Sequence, residues 1–195
     1  MRSRRPHAAR AAALVLACAL AGCSENGEPN GESTWSPTST PEQPSTSPAG
    51  SEEPPSLPAA ATKATKAGAR AFITHYWDVL NYAQRSGDVS MLRALSASPC
   101  SVCNAFRRDL REHYRIGGRI IGGEHSIQVA EVTELTTPSS SAYAYRFRLL
   151  VSHDSQTVIM SDGTRDERKA GSTKFTAYVH WVKATRWRLD AMEVE

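Results

Sequence analysis

The cysteines carry the most reactive side chains in this sequence, and two of them form a close pair. Cys100 and Cys103 enclose a Ser-Val dipeptide, and a helix is predicted to begin at Ser98-Pro99. A CxxC pair in the first turn of a helix suits three kinds of chemistry: thiol-disulfide exchange, a structural disulfide, or half of a zinc site. The three differ in what the rest of the sequence must supply.

A structural disulfide is the interpretation that we favour for this pair. Thioredoxin-like redox sites follow a β-strand, whereas a short helix is predicted before Cys100. A zinc site needs two further ligands, and the sequence has no second CxxC pair and no HxxxH motif. The loop closed by a Cys100–Cys103 bond is very short, so the bond would add only about 2 kcal/mol of stability. Thiol-redox chemistry stays open as an alternative.

Histidine and tyrosine side chains form a second candidate site, an interior pocket. On the predicted elements, the inward-facing members are Tyr76, His113, Tyr143 and Tyr145. Only His113 titrates near neutral pH, so it is the candidate acid or base of an enzyme alternative. His75 and Asp78 lie away from the apolar face of their helix and are expected to face solvent.

No catalytic residue is assigned in this sequence. It contains no GxSxG nucleophile elbow, no phosphate-binding glycine loop and no HExxH motif. We therefore expect no metal and no cofactor, and a binding function in preference to a reaction.

Arginines line one side of the third predicted helix. They are Arg107, Arg111 and Arg115, with Arg119 just beyond. Like charges four residues apart repel by a few tenths of a kcal/mol, so nearby carboxylates, or solvent, should offset them. The candidates are Asp109 and Glu112 on the same helix and Glu131 and Glu134 on a strand. The other explanation is an anionic partner, since a guanidinium binds phosphate or carboxylate through two parallel bonds.

The N-terminus has the pattern of a secretory leader. A segment with four arginines precedes the apolar run from Ala11 to Leu20, which is too short to cross a bilayer. Leu20-Ala21-Gly22-Cys23 resembles the lipobox of bacterial lipoproteins, which implies a diacylglyceryl group on Cys23. We expect residues 1–22 to be removed, and the lipid on Cys23 to hold the chain on the extracytoplasmic face of the cell membrane.

A tether is predicted between the lipid and the domain, over residues 23–61. It contains eight prolines and six glutamates but no lysine or arginine. Such a segment buries too little apolar surface to fold, so we expect it to be disordered. The full chain has a net charge of +3, and loss of the arginine-rich leader makes the mature chain slightly acidic. Nucleic acid is not an expected partner outside the cytoplasm.

Residues 62–195 are predicted to form one α+β domain. Apolar residues at helical spacing predict helices over about 65–85, 89–97 and 98–116. After Gly117-Gly118 the apolar period changes to two, which predicts strands near 127–135, 143–151, 157–160, 175–182 and 187–191. Residues 161–171 are expected to form a charged loop. Helices followed by strands favour three helices packed on a curved antiparallel sheet.

Two resemblances add to this reading of the residues. The element order resembles the nuclear-transport-factor-2-like cone, which ketosteroid isomerases and polyketide cyclases share. The lipobox, the Pro/Ser/Thr tether and the stretch from Tyr76-Trp77 to the CxxC pair resemble an uncharacterised actinobacterial lipoprotein family, a domain of unknown function. That resemblance implies an envelope location and paired Cys100 and Cys103, but no activity.

The expected function is therefore a non-catalytic interaction or ligand-binding module of the cell envelope. Its expected partners are the membrane through Cys23, another envelope protein, or an anionic lipid or cell-wall polymer. One alternative is a cone-fold enzyme or small-molecule binder that uses the interior pocket. A weaker alternative is an extracytoplasmic thiol-redox protein.

Overall fold

The computed structural model describes residues 53–135, 143–182 and 186–195. The predicted signal peptide, Cys23 and most of the predicted tether lie outside these residues. Within them the class is α+β, as the sequence predicts, with helical elements before the strands. No helix in these ranges is long and apolar enough to span a membrane.

The helical elements are a 3-10 turn (Ala59–Thr62), α1 (Lys66–Ser86), α2 (Ser90–Leu95) and α3 (Ser101–Arg115). The strands are β1 (Arg119–Gly122), β2 (His125–Leu135), β3 (Ala144–His153), β4 (Gln156–Ile159), β5 (Arg165–Arg168), β6 (Gly171–Val182) and β7 (Arg186–Val194). The 3-10 turn packs against α1 and buries Ala61. Ordered packing therefore begins within the stretch predicted as tether.

Helix α1 is the central helix of the domain, because most of its surface is buried against other elements. Thr65 caps its N-terminus by accepting a hydrogen bond from the Gly68 N–H at 3.0 Å. Gly87 ends it with a φ of +78°, a left-handed conformation that glycine adopts without strain. In its middle, only the stripe of Arg70, Thr74 and Asp78 is exposed.

The described strands form two antiparallel sheets and not the single curved sheet predicted. The larger sheet has the order β2-β3-β6-β7, and the smaller has the order β1-β4-β5. The chain passes from the smaller sheet to the larger at Gly122 and Gly123, whose φ angles of +70° and +75° turn the backbone. The pattern did not predict β1, and it assigned β5 to a loop.

Helix α3 begins later than predicted. Ser98 and Pro99 form a turn, and Cys100 is the N-cap, its Sγ accepting a hydrogen bond from the Cys103 N–H at 3.3 Å. Cys100 and Cys103 are joined by a disulfide, and each is 1% exposed. Such burial favours a structural role, because thiol exchange requires an accessible sulfur.

The interior between α1 and the larger sheet is a packed core. Its largest fully buried side chains include Trp77, Tyr76, Phe72, Phe147 and Trp187. The alternation predicted for β3 and β6 is confirmed, since Tyr145 to Val151 and Phe175 to Trp181 bury every second residue.

In β7 the predicted alternation shifts by one residue. Trp187 and Leu189 are buried as predicted, but the next buried residue is Met192 and not Ala191. A β-bulge causes the shift. Leu189 and Ala191 each pair with a residue of β6, but Asp190 between them has no pairing residue on that strand.

Strand β7 contacts all the helical elements named above. The Trp187 indole N–H donates to the Lys63 carbonyl at 2.9 Å, and the Ala97 N–H donates to the Leu189 carbonyl at 2.8 Å. The strand thus holds the first turn of the domain and the α2–α3 connection in place.

Candidate functional site

The predicted interior pocket is not assembled, because its four residues lie in different surroundings. Tyr76 is 0% exposed, and burial raises the pKa of its hydroxyl. Tyr145 is buried against Trp187, whereas Tyr143 is 41% exposed. Of the four, only His113 lines a cleft. The predicted pocket, in which a histidine meets interior tyrosines, is therefore corrected: His113 lines a cleft without any of the three tyrosines.

A cleft of about 440 Å³ opens beside the packed core, between α1, α3, the smaller sheet and the start of β2. Its apolar lining consists of Leu80, Phe106, Leu110, Ile120 and Val158. Its polar lining consists of Gln84, Asp109, His113, His125, Gln156 and Arg168. An apolar floor with a few polar groups is typical of small-molecule sites, whose volumes are about 300–1,000 Å³.

His125 is held in one tautomer by Asn81 of α1. The His125 backbone N–H donates to Asn81 Oδ1, and Asn81 Nδ2 donates to the His125 carbonyl, both at 2.8 Å. These two bonds establish which end of the amide is oxygen. The ring Nδ1 lies 3.1 Å from the same Oδ1, which can only accept, so Nδ1 carries the proton and Nε2 the lone pair.

The surroundings of His125 keep its imidazole uncharged at neutral pH. Burial lowers the pKa of His125 to about 4, and His153 acts in the same direction. The His153 and Trp77 rings lie 6.0 Å and 5.5 Å from it, centroid to centroid. Nε2 has no hydrogen-bond partner in the described residues and is not sealed from solvent. It therefore offers a neutral lone pair in the cleft.

Gln84 and His113 present acceptors in the same way. Gln84 Nε2 donates to the carbonyls of Gly122 and Gly123, both at 2.9 Å, which leaves Oε1 free to accept. His113 Nε2 lies 3.2 Å from the Arg119 carbonyl, so in the neutral ring Nε2 carries the proton and Nδ1 the lone pair. The inner wall of the cleft is therefore rich in hydrogen-bond acceptors.

The charged residues at the rim of the cleft are paired with neighbours on their own elements. Asp109 lies 2.9 Å from Arg108, and Arg168 lies 2.8 Å from Asp166. Both pairs are more than half exposed, so each adds little stability. Each pair balances its own charge, so the rim does not select for an ion of one sign.

The arginine stripe of α3 is partly neutralised. Arg115 donates two hydrogen bonds to Glu112, at 2.9 Å and 2.6 Å, and Arg107 donates to Asn104 at 2.8 Å. Arg111 is exposed to solvent. Of the carboxylates that the sequence offers as offsets, Glu112 thus pairs with an arginine of the stripe. Asp109 pairs with Arg108 instead, and Glu131 with arginines of β3.

His75 does not face solvent as predicted. It is 2% exposed, and burial lowers its pKa, while Asp78 is exposed as predicted. The prediction treated α1 as a helix packed on one side, whereas the 3-10 turn and α2 pack on it in addition to the sheets.

A second concavity of about 390 Å³ lies on the outer face of the larger sheet. Arg148 donates to both carboxylate oxygens of Glu195 at 3.1 Å and lies 3.9 Å from Glu131. The Thr176 hydroxyl also donates to Glu195, at 2.7 Å. The charged groups Arg148, Glu131 and Glu195 are thus engaged with one another, whereas Gln128 and Lys174, which also line the groove, make no side-chain hydrogen bond in the described residues.

Asn81, Gln84 and His125 are site residues that sequence reasoning missed. Asn81 and Gln84 reach partners 44 and 38 residues away along the chain, and no local pattern predicts such contacts. One signal was available: both are polar residues on an otherwise apolar stretch of α1, three positions apart.

Several solved structures are similar to the chain. The intermembrane space region of chloroplast protein ARC6 is 12% identical with a TM-score of 0.48, over 65% of this chain and 93% of that one. A periplasmic fragment of TraM is 9% identical with a TM-score of 0.42, over 67% and 97%. A nuclear transport factor 2 (NTF2-like) superfamily protein from Salmonella enterica serovar Typhimurium LT2 is 11% identical with a TM-score of 0.37, over 67% and 92%. None of these similarities bears on activity.

Sequence comparisons give one result at the level of the family. No curated protein matches the chain. A family model described as "Family of unknown function (DUF6318)" matches residues 43–193.

Proposed function

The chain belongs to DUF6318, a family of unknown function, and we propose that it is a lipid-anchored extracytoplasmic protein whose domain binds a small molecule without transforming it. The binding site is the cleft between α1, α3 and the smaller sheet. The observation that carries the proposal is this cleft of about 440 Å³, with an apolar floor and polar groups that have unused lone pairs.

The proposed location is supported by the N-terminal sequence. An arginine-rich segment, a short apolar core and Leu20-Ala21-Gly22-Cys23 stand in the order of a lipoprotein leader. The proline-rich stretch that follows is suited to hold a domain away from the membrane surface. The Cys100–Cys103 disulfide is consistent with an oxidising compartment.

The proposed fold is a nuclear-transport-factor-2-like cone in a form whose interior is filled. Helices that lie against a four-stranded antiparallel sheet support this architecture. Aromatic side chains such as Trp77 and Phe147 occupy the interior, so the binding site of the proposal lies at the side of the core and not within it.

Binding without catalysis is favoured by the state of the cleft residues. General acid–base catalysis at neutral pH works best with a group whose pKa lies near the working pH. The pKa of His125 is lowered to about 4, and the predicted tyrosine partners of His113 do not line the cleft. A hydrogen-bonding role suits these residues better than proton transfer.

An anionic surface is a second proposed partner, through Arg107, Arg111 and Arg115. The exposed Arg111 supports it, whereas the pairing of Arg115 with Glu112 weakens it. Co-sedimentation with phosphatidylglycerol vesicles tests the idea. Replacement of the three arginines by alanine should abolish sedimentation, and unchanged sedimentation of that variant contradicts it.

The cleft is tested with a two-ring aromatic probe, 1-naphthol, titrated into the isotope-labelled full-length chain. We expect saturable changes in the NMR signals of Leu110, Ile120 and Val158. The variant Leu110→Trp fills the cleft and should abolish these changes. Leu150→Trp is the matched control, because Leu150 is equally half-buried but lines the outer groove.

Two results would contradict cleft binding. One is the absence of any saturable change at the cleft residues up to the solubility limit of the probe. The other is equal binding by Leu110→Trp and the unsubstituted chain, which would place the probe elsewhere on the surface.

A further inference from the structure

The hydrogen-bond pattern inside the cleft narrows the class of molecule that fits it. His125 Nδ1 and His113 Nε2 are committed to protein acceptors, and so is the amide nitrogen of Gln84. The complementary atoms, His125 Nε2, His113 Nδ1 and Gln84 Oε1, are acceptors without partners in the described residues. The donors of these three side chains are therefore occupied by protein acceptors, whereas their lone pairs are available to a ligand.

We propose that the cleft selects an apolar molecule that carries a hydrogen-bond donor, an O–H or N–H group, which donates to His125 Nε2. This inference rests on the proposed function, because it names the ligand class of the same cleft. The apolar body of the ligand lies against Leu80, Phe106 and Leu110, and Gln84 Oε1 is a second acceptor for the donor group.

The position of His125 makes it the main residue that recognises the hydrogen-bond donor of the ligand. Its backbone is fixed on both sides by Asn81, and its ring lies beside the Trp77 ring at 5.5 Å. A side chain fixed in this way loses little conformational entropy when it accepts a hydrogen bond. Its tautomer does not depend on the ligand either, because Asn81 Oδ1 can only accept from Nδ1.

The same pattern disfavours anionic ligands. A carboxylate or phosphate brings only acceptors, so it would face unpaired lone pairs on His125, His113 and Gln84. Of the described amides that line the cleft, only Gln156 has an N–H group left to donate to it. Arg168 at the rim binds Asp166 through Nε, and this carboxylate offsets the charge of the guanidinium. A buried polar group without a partner is costly, so an anion would lose affinity relative to a neutral donor of the same shape.

A matched set of probes on the full-length chain tests the inference: 1-naphthol, 1-methoxynaphthalene and 1-naphthoate share the ring system. The first donates a hydrogen bond, the second has its donor capped by a methyl group, and the third is an anion. We expect 1-naphthol to bind about tenfold more tightly than the other two, the usual effect of one buried hydrogen bond.

Two substitutions of His125 separate its two ring nitrogens. His125→Asn keeps a donor toward Asn81 at the position of Nδ1 but removes the acceptor at Nε2, so it should erase the preference for 1-naphthol. His125→Gln keeps an acceptor near the position of Nε2 and should retain part of the preference. Both variants leave the two backbone bonds to Asn81 in place.

The tautomer is read separately from nitrogen NMR shifts of the His125 ring in the free protein. We expect a protonated Nδ1 and a bare Nε2, and a change at Nε2 when 1-naphthol binds. A ring protonated at Nε2 overturns the inference whichever probe binds.

The outcomes distinguish this inference from the proposed function. Equal binding of 1-naphthol and 1-methoxynaphthalene in the cleft overturns the proposed selection of a ligand that carries a donor, here called the donor rule. The cleft remains a binding site in that case. Tighter binding of 1-naphthoate has the same meaning. Binding of none of the three probes overturns the proposed function and, with it, the donor rule.

Discussion

At the scale of the residue, the burial of His125 beside His153 has a consequence for stability as well as for binding. The pKa of His125 falls from 6.5 in the unfolded chain to about 4 in the fold. Between these pH values the unfolded chain binds a proton that the folded chain does not. The contribution of His125 to the free energy of unfolding therefore has its full value above pH 6.5, and it falls as the pH is lowered toward 4.

The variant His125→Asn should reduce this acid sensitivity, because it removes the titrating group and keeps the bond to Asn81. We expect the unsubstituted chain to lose about 1 kcal/mol more than the variant between about pH 7 and about pH 5, after allowance for partial exposure. Denaturant midpoints at the two pH values measure the difference. Ser126→Ala, at an exposed neighbour on β2, is the control and should behave like the unsubstituted chain. Equal pH dependence in His125→Asn contradicts the prediction.

At the scale of the element, the end of α1 depends on the fit between Gly87 and Tyr114. The Tyr114 hydroxyl donates to the Gln84 carbonyl and lies 3.1 Å from the Arg85 carbonyl. A Cβ on Gly87 would come within 2.5 Å of the Tyr114 ring. Gly163 has a similar φ, +85° against +78°, but nothing lies within 4 Å of its Cβ position.

Gly87→Ala should therefore cost more stability than Gly163→Ala. The left-handed backbone costs each variant about 1 kcal/mol. Overlap with Tyr114 should add roughly 1–3 kcal/mol for Gly87→Ala alone. Chemical unfolding of both variants checks this, and equal losses would mean that Tyr114 moves aside freely.

The Cys100–Cys103 disulfide should resist reductants in the folded protein, because each sulfur-bearing residue is 1% exposed. Intact mass after brief treatment with dithiothreitol should still be two hydrogens below the reduced value, and denaturant should make the bond reducible. The variant Cys100→Ala/Cys103→Ala should fold with a loss of about 2 kcal/mol, since the closed loop is short. Rapid reduction under native conditions would support the thiol-redox alternative instead.

The elements also show where sequence reasoning works. The buried alternation of β3 and β6 is readable because Phe147, Leu149 and Ala177 face a core while their neighbours do not. Strand β5 cannot be predicted from the sequence, because all four of its residues are exposed. It is held by backbone pairing with β4 and by one side-chain hydrogen bond, from Thr157 to Glu167. The bulge at Asp190 cannot be predicted from the sequence either, because a register shift does not change the amino-acid composition of a strand.

The cleft lies at the limit of such reasoning. His113 was predicted as an inward-facing residue, and it does line the cleft. Its neighbours there come from α1, β2 and β4, so they meet only after the two sheets have formed. The tautomer of His125 depends on a contact with Asn81 across 44 residues, which neither residue's local sequence encodes.

At the scale of the whole molecule, the predicted anchor at Cys23 has a direct test. Cells fed labelled palmitate should transfer the label to the chain, and Cys23→Ala should abolish the transfer. Cys18→Ala is the matched control, because Cys18 lies in the apolar run that is predicted to be removed. Label retained in Cys23→Ala would show that the lipid, if any, is carried elsewhere.

The position of β7 also sets the order in which the domain can be completed. The Lys63 carbonyl receives its hydrogen bond from Trp187, 124 residues later, and every helical element named above packs on the same last strand. During synthesis from the N-terminus, these elements therefore wait, without their final contacts, until β7 has left the ribosome. Contacts so distant along the chain form slowly, so a nascent chain that lacks β7 also lacks the contacts that hold the 3-10 turn and the α2–α3 connection in place.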